Sequence, residues 1–300
     1  MTASNNISTD RGSDQPHQSD QPGQPRVAAV QMVSVADVGQ NLKAAADLIV
    51  SAVATGARIV VLPENFAVLS ADAQAKVRVA ELAGEGPMQQ FLADQARQHQ
   101  IYLVGGTIPL RAEQPGKVRA ACLTYGPDGS LLGRYDKVHL FDVALSGGNE
   151  SYNESATIEG GDRTCVIDTP WGKLGIAICY DVRFPELFRH LMKQQARMIA
   201  LPSAFTATTG KAHWEILVRA RAIENQCFLI APDQAAGRDG NRPAWGHSMV
   251  VSPWGEVLAE LEVLAELEEQ GSGVATAEIH LQGQEQLRER FPALQHCRVL

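Results

Sequence analysis

Hydrophobic and polar positions alternate along this chain in blocks that predict strands and helices in turn. Short, continuous apolar runs predict buried strands at 27–32, 59–62, 101–107, 121–125, 174–178, 198–201, 228–231, 248–251 and 274–279. Between them, apolar residues at helical spacing predict helices at 41–55, 184–195 and 213–225. Strands that alternate with helices in this way are typical of an α/β protein whose sheets are mostly parallel.

An internal repeat refines this architecture. The segment Ala57-Arg-Ile-Val-Val-Leu-Pro-Glu64 resembles Ala196-Arg-Met-Ile-Ala-Leu-Pro-Ser203, and each ends a unit of strand, helix and strand. The repeat predicts two similar halves, packed sheet against sheet with helices outside, as a four-layer α-β-β-α sandwich. It also puts Glu64 and Cys179 at corresponding strand ends, where α/β proteins bind their ligands.

Two segments differ from this regular pattern. Residues 1–25 are polar and rich in proline, and such a composition cannot bury enough apolar surface to fold, so we predict a disordered tail and a folded domain at 26–300. The hexapeptide at 257–262 is repeated without change at 263–268. We interpret the duplication as a lengthened strand, a hairpin or a short helix at the surface, where insertions cost little.

Composition and charge exclude several classes of function. The chain has 300 residues, 45% of them hydrophobic, and a net charge of −8 without any cluster of Lys and Arg. This balance argues against nucleic acid or an anionic membrane as a partner. No apolar run is long enough to span a membrane, and the N-terminus lacks the features of a secretory signal. Five widely spaced cysteines without a Cys-x-x-Cys pair predict reduced thiols in a cytoplasmic protein and no zinc site.

One of these cysteines, Cys179, stands directly after the apolar run at 174–178. Pro185 and Glu186, a few residues later, predict the first turn of a helix. A thiol between a strand end and a helix start is accessible to substrate, and nearby backbone N–H groups can bind an oxyanion. The alternative is a buried cysteine that acts as a small hydrophobic residue. The pattern by itself leaves both interpretations open.

Three further polar residues complete a possible site for chemistry: Glu64, Lys137 and Glu154. Singly, each has an ordinary explanation as a loop cap, a solvated cation or a loop carboxylate. Together with Cys179 they supply what acyl transfer through a thiol requires. A carboxylate can remove the thiol proton and later protonate the leaving amine. An ammonium group stabilises the thiolate and the oxyanion, and a second carboxylate can hold the lysine or position water.

The motifs that contain these residues resemble those of the nitrilase superfamily of carbon–nitrogen hydrolases. They are Leu62-Pro-Glu64-Asn, Tyr135-Asp-Lys137-Val-His-Leu-Phe-Asp142 and Ile178-Cys179-Tyr-Asp-Val-Arg183-Phe-Pro-Glu186, and the resemblance covers essentially all of 26–300. It implies the four-layer sandwich of the carbon–nitrogen hydrolase type, usually as a dimer. It also implies a catalytic Glu-Lys-Cys triad at Glu64, Lys137 and Cys179, with Glu154 as an additional glutamate. It implies neither a metal nor another cofactor.

The segments 209–226 and 245–255 are similar to one branch of this superfamily, the deaminated-glutathione amidases and ω-amidases. That resemblance implies a thiol amidase acting on the terminal amide of a 2-oxoglutaramate-type acyl group, and most closely on deaminated glutathione. The alternatives are an ω-amidase acting on 2-oxoglutaramate or another small amide or nitrile, and a non-catalytic binding scaffold with the same fold. A small-molecule amide is the expected partner in either enzyme.

Such a substrate needs a cation for its carboxylates. Arg183, four residues after the cysteine, is the first candidate, because a guanidinium binds a carboxylate in a bidentate fork. The alternative is a structural ion pair with Asp181 or Glu186. Tyr180, Phe205 and Thr206 are further candidates for the substrate pocket. His213 and Trp214 are expected to pack the start of a helix rather than to bind the substrate.

Overall fold

Strands and helices alternate in this protein much as the apolar pattern predicts. The computed structural model describes residues 24–145, 150–235, 244–261 and 271–298. The strands are β1 (Arg26–Gln31), β2 (Ala57–Val61), β3 (Tyr102–Val104), β4 (Ile108–Arg111), β5 (Val118–Tyr125), β6 (Leu131–Asp136), β7 (Asp142–Ala144), β8 (Ser151–Asn153), β9 (Cys165–Thr169), β10 (Gly172–Ile176), β11 (Ala196–Ala200), β12 (Phe228–Ala231), β13 (Met249–Val251), β14 (Val257–Glu260) and β15 (Gly273–Glu278). The helices are α1 (Val38–Ala54), α2 (Ala75–Arg78), α3 (Pro87–His99), α4 (Pro185–Lys193), α5 (Ala207–Asn225) and α6 (Leu281–Arg290), and short 3-10 turns span Glu154–Ala156 and Cys179–Arg183.

Two large sheets form the centre of the molecule. The first has the order β15-β1-β2-β3-β5-β4 with β6 beside β5, and the second has the order β14-β13-β12-β11-β10-β9. One core contains inward residues of both sheets together with the buried faces of α4 and α5. A second core lies between the first sheet and the helices α1 and α3. The layers are therefore helix, sheet, sheet and helix, which confirms the predicted sandwich.

The side chains of β1 show how one strand serves both cores. Val27 and Ala29 belong to the core between the sheets, whereas Ala28 and Val30 pack towards the helices. Successive side chains of a strand point to opposite faces, so a strand buried on both faces is a continuous apolar run. This is why the run at 27–32 lacks the polar alternation of a half-exposed strand.

The two halves repeat each other, as the internal repeat predicts. In each half three strands run parallel: β1, β2 and β3 in the first sheet, and β10, β11 and β12 in the second. However, Glu64 follows the second strand of its half and Cys179 follows the first strand of the other. The residue equivalent to Glu64 is Ser203, after β11. The prediction that Glu64 and Cys179 follow equivalent strands of the two halves is therefore wrong. Both nevertheless lie at the carboxyl ends of parallel strands.

Some boundaries differ from those predicted, and each has a local cause. The strand predicted at 101–107 ends at Val104, and Gly106 then turns the chain with φ of +52°. The helix predicted at 213–225 begins at Ala207, because the Thr206 side chain caps it by accepting the N–H of Thr209. This start places Trp214 inside the helix, where it is fully buried, whereas His213 lies at the surface.

Three predictions concern residues that the structure covers only in part. The tail at 1–25 is described only at 24 and 25, so its disorder stays a prediction. In the duplicated hexapeptide, residues 257–260 of the first copy form the edge strand β14, and 262–268 lie outside the described residues. Among the helices of the described parts, none is long and apolar enough to cross a membrane.

Candidate active site

Cys179 occupies a tight turn immediately after β10. Its backbone has φ of +46°, a left-handed conformation that a residue with a side chain rarely adopts. Its N–H donates to the carbonyl of Pro202 at 2.9 Å, which ties the turn to the end of β11. Such strain costs on the order of 1–3 kcal/mol and persists mainly where the surroundings impose it, often at functional sites. The expected helix start follows, with Pro185 in the first turn of α4.

Burial controls the ionisation of the Cys179 thiol. It raises the pKa well above the ordinary value, and the negative charge of Glu64 raises the pKa further. Lys137 and a hydrogen bond from the backbone N–H of Ala204 lower the pKa, but they do not outweigh the burial. The resting thiol is therefore protonated at neutral pH, and a nearby base has to remove its proton before the sulfur can attack.

Glu64 supplies a carboxylate beside this thiol. It follows β2 and Pro63 in a turn where the next residue, Asn65, also has positive φ, 60°. Gly106 packs so closely against this turn that a Cβ there would lie 2.1 Å from the carbonyl oxygen of Pro63. The Glu64 side chain is buried. Its backbone carbonyl accepts a hydrogen bond from the Gln234 amide at 3.0 Å, so the second half of the molecule holds Glu64 in place.

Lys137 lies between two carboxylates at the end of β6. Its Nζ is 2.7 Å from Oε1 of Glu64 and 2.8 Å from Oε2 of Glu154, and only 2% of its side chain is exposed. Burial lowers the pKa of Lys137, but the charges of Glu154 and Glu64 outweigh burial, so that the pKa is well above its usual value. Lys137 is therefore a permanent cation at this site.

Glu154 opens the short 3-10 turn after β8. Both of its carboxylate oxygens bind Lys137 Nζ, and Oε2 also accepts the backbone N–H of Phe141 at 2.8 Å. Burial raises its pKa, but Lys137 and then Lys76 lower it by more, so the carboxylate is ionised. Thus Glu154 fixes the ammonium group of Lys137, as the sequence predicts for a second carboxylate.

All eight residues predicted for the site line one pocket. They are Glu64, Lys137, Glu154, Cys179, Tyr180, Arg183, Phe205 and Thr206. The Arg183 guanidinium lies 5.8 Å from the ring centre of Tyr180 and 5.6 Å from that of Phe205. Among the residues that the structure describes, neither Asp181 nor Glu186 forms an ion pair with Arg183. The guanidinium instead lies 3.4 Å from Nδ1 of His213 through both Nη1 and Nη2. Its role in substrate binding stays a prediction.

Sequence reasoning missed the role of Asp181, which joins the lysine and cysteine motifs. Its Oδ2 accepts the Tyr135 hydroxyl at 2.7 Å and the Ile178 N–H at 2.8 Å. Its Oδ1 lies 2.7 Å from Nδ1 of His139, whose ring stacks on Phe184 with 3.7 Å between the ring centres. This buried carboxylate thus ties the loop that contains Lys137 to the turn that contains Cys179.

Asp233 and Gln234, which follow β12, were also missed. Gln234 donates to Ser34 and to the Glu64 carbonyl, and thereby links the two halves. Asp233 is fully buried and accepts the Phe205 N–H at 2.8 Å, while its other oxygen has no hydrogen-bond partner among the described residues. Burial raises its pKa well above the usual value. The only sequence feature that marks them is two polar residues directly after a buried apolar strand.

Comparison with known proteins identifies the family of this chain. The carbon-nitrogen hydrolase family matches residues 26–289. A deaminated glutathione amidase of Synechocystis sp. PCC 6803 is 41% identical over 272 residues, which cover 90% of this chain and 96% of the relative. An omega-amidase NIT2-B of Xenopus laevis is 40% identical over 267 residues, 89% of this chain and 92% of the relative.

A solved structure supports the same assignment. The crystal structure of Saccharomyces cerevisiae Nit3, a member of branch 10 of the nitrilase superfamily, matches with a TM-score of 0.79 and 32% identity. The match covers 92% of this chain and 97% of the yeast protein. The fold, the sequence relatives and the family match agree: the chain belongs to the carbon–nitrogen hydrolase family, within the nitrilase superfamily.

Proposed function

We propose that this protein is a thiol amidase that hydrolyses the terminal amide of a 2-oxoglutaramate-type acyl group, with deaminated glutathione as its principal substrate. The observation that carries this proposal is the buried Lys137, held between Glu64 and Glu154 in the pocket that contains Cys179. The names of the sequence relatives support the choice of acyl group.

Acylation begins with the protonated thiol. Glu64 accepts the proton of Cys179, and the sulfur attacks the carbon of the substrate amide. The negative charge that develops on the carbonyl oxygen faces Lys137 and the N–H of Tyr180, which lies in the first turn of its 3-10 helix and has no partner within that turn. Glu64 then gives the proton to the leaving nitrogen. The carbon–nitrogen bond breaks, the amine or ammonia leaves, and a thioester remains on Cys179.

Hydrolysis of this thioester uses the same groups in reverse. Water enters the place of the amine, and Glu64 accepts one of its protons while the oxygen attacks the thioester carbon. Glu154 is fixed by Lys137 and the Phe141 N–H, and its proposed role is to hold the lysine and position the water. The carbon–sulfur bond then breaks, the thiolate takes the proton back, and the acid leaves.

The acyl group has a carboxylate next to its oxo group, and we assign that carboxylate to Arg183. The guanidinium belongs to the same turn as Cys179 and lies against the rings of Tyr180 and Phe205. Its Nη1 and Nη2 also lie 3.4 Å from Nδ1 of His213. The rings and His213 together restrict the guanidinium, whose remaining N–H donors are able to bind a carboxylate. Thr206 and Phe205 complete this side of the pocket.

A second candidate function is that of an ω-amidase, which acts on 2-oxoglutaramate itself. It is supported by the similarity to the omega-amidase of Xenopus laevis. The two candidates share the acyl group and differ in what leaves, ammonia or the dipeptide Cys-Gly. Specificity constants for 2-oxoglutaramate and for deaminated glutathione, measured on one preparation, separate them.

We propose the cytoplasm as the compartment and a homodimer as the assembly. Cys122, Cys165, Cys179 and Cys227 are not in disulfides, and structural disulfides are rare in the reducing cytoplasm. The proposed mechanism uses a thiol, two carboxylates and an ammonium group, and needs no metal or other cofactor.

Replacement of Cys179 by alanine tests the proposed function. The variant should release no Cys-Gly from deaminated glutathione and no ammonia from 2-oxoglutaramate, because no thioester can form. Cys165→Ala, at a half-buried cysteine outside the pocket, is the matched control and should retain activity. Mass spectrometry of the wild type with substrate should reveal an acyl group on Cys179. Turnover by Cys179→Ala would contradict the mechanism, and a wild type that binds but never turns over would favour the scaffold.

A further inference from the structure

The pocket contains two cations besides Lys137 among the residues that the structure describes. Arg183 belongs to the turn of Cys179 in the second half of the molecule, and Lys76 belongs to α2 in the first half. They therefore come from different walls of one pocket. No proton transfer or bond-forming step of the proposed chemistry uses Lys76.

Lys76 is a cation in the lining of the pocket. Its side chain is half-buried, and its charge lowers the pKa of Glu154. Lys76 thus contributes positive charge to the wall of the pocket near Glu154.

A substrate amide bound at Cys179 extends in two directions. The acyl part leads to the oxo-acid carboxylate, which is close to the scissile carbon. In deaminated glutathione the leaving part, Cys-Gly, ends in a second carboxylate that is farther from that carbon. Arg183 is in the same turn as the nucleophile and suits the near carboxylate, while Lys76 on the other wall suits the far one.

We propose that Lys76 binds the terminal carboxylate of the leaving group, and that this contact lets the pocket select an amide extended by a carboxylate-ended peptide over the simple primary amide. The proposal rests on the proposed function, because it assumes that an oxo-acid amide binds at Cys179. It assigns Lys76 a role in specificity and none in bond breaking. An amide without a carboxylate on its leaving group gains nothing from Lys76.

The test compares two substrates on two enzymes. Deaminated glutathione is compared with its glycine carboxamide, which lacks only the terminal negative charge, on the wild type and on Lys76→Gln. The wild type should prefer the carboxylate by roughly tenfold in kcat/KM, since a charge-assisted contact at a half-exposed site has about that strength. Lys76→Gln should lose this preference through a higher KM for the carboxylate. Lys43→Gln, on the outer helix α1, is the matched control and should keep it.

A third substrate separates this proposal from the proposed function. Turnover of 2-oxoglutaramate, which has no leaving-group carboxylate, should fall no more in Lys76→Gln than turnover of the glycine carboxamide does. An equal loss on all three substrates would overturn the proposal, because Lys76 would then act only through Glu154. An unchanged preference for the carboxylate in Lys76→Gln would also overturn it.

Binding to Cys179→Ala gives a readout that does not depend on turnover. Calorimetry with deaminated glutathione should show weaker binding, by a similar factor, when Lys76→Gln is added to that variant. If the wild type turns over none of the oxo-acid amides, the proposed function fails. If they are turned over but Lys76→Gln binds deaminated glutathione as tightly as its parent does, only the proposal about Lys76 fails.

Discussion

At the scale of single residues, the protonation state of each group in the site depends on the charges of its neighbours. Lys137 is positive because two carboxylates surround it, and Glu154 is negative because two lysines lie near it. Cys179 is neutral because burial and Glu64 disfavour the thiolate. Removal of one partner from such a buried group is costly, since it leaves an uncompensated charge.

The two carboxylates beside Lys137 should therefore respond differently to substitution. Glu64→Gln removes the proposed base and should lower kcat by about 100- to 10,000-fold, the usual contribution of general acid–base catalysis. Glu154→Gln keeps the base but weakens the hold on Lys137, so we expect a smaller loss. Steady-state release of ammonia from 2-oxoglutaramate measures both. A larger effect for Glu154→Gln would assign the base to Glu154 instead.

Asp233 gives a prediction about pH. Burial raises its pKa in the folded state above the unfolded value, so the native state binds the extra proton and loses stability as the pH rises through that folded pKa. Asparagine at position 233 cannot ionise, so the Asp233→Asn variant should not lose stability in this way as the pH rises. The melting temperature of Asp233→Asn relative to the wild type should therefore increase from about pH 4 towards neutral pH. A difference that stays constant over this range would show that Asp233 does not titrate in this way.

At the scale of elements, short connections bring the site together. The turn after β10 presents Cys179, the turn after β2 presents Glu64, and the end of β6 presents Lys137. Asp181 holds two of these connections together through Tyr135 and His139. Helix caps then set where the surrounding helices begin.

The side-chain caps of α1 and α5 allow a controlled comparison. Asp37 caps α1 at the surface, and Thr206 caps α5 at the pocket. Alanine at either position should destabilise the protein by about 1 kcal/mol, measurable by chemical denaturation. Asp37→Ala should leave the kinetic constants unchanged, because Asp37 is exposed and is not among the residues that line the pocket. Thr206→Ala should also raise KM, and an unchanged KM would remove Thr206 from the substrate pocket.

At the scale of the whole molecule, a strip of apolar residues is exposed on the outside of α5. Ile216 and Ile223 lie seven residues apart on one face of the helix and are 69% and 48% exposed. Beside them, Trp254 and Phe291 are 63% and 58% exposed and contact each other edge to face. Ile223 packs close to Gly255, which joins the two groups. Arg219 lies between the two isoleucines on this face and donates to the carbonyl of Gly255 at 2.8 Å. Exposed apolar side chains grouped around an arginine are typical of an interface.

We predict that this strip is the interface of the proposed homodimer. Ile216→Asp places a charge in the strip and should shift the protein from dimer to monomer, measured by sedimentation velocity. Val50→Asp, at a residue that is 51% exposed on α1, is the control and should leave the dimer intact. A monomeric wild type, or a dimer that is unaffected by Ile216→Asp, would contradict the prediction.

The sequence by itself determined the main strands and helices, the two-fold internal repeat and the residues able to do chemistry. Apolar periodicity is a local property, so β1, β12 and most of α1 follow from it directly. The motifs around Glu64, Lys137 and Cys179 carry enough neighbouring residues to identify the family. The helix α3 was not predicted from the sequence. Gly84 and Gly86 precede it, and the many polar residues after Pro87 make its apolar spacing hard to recognise.

Only the tertiary structure decided which of these residues meet. Contact between Lys137 and Glu64 requires the end of β6 and the turn after β2 to reach one pocket. The positions of Lys76, Asp181, Asp233 and Gln234 depend likewise on how the two sheets pack. No local pattern records such contacts, because they join segments that are far apart in the chain. The sequence therefore determined the chemistry available to this protein, and packing decided how that chemistry is arranged around one thiol.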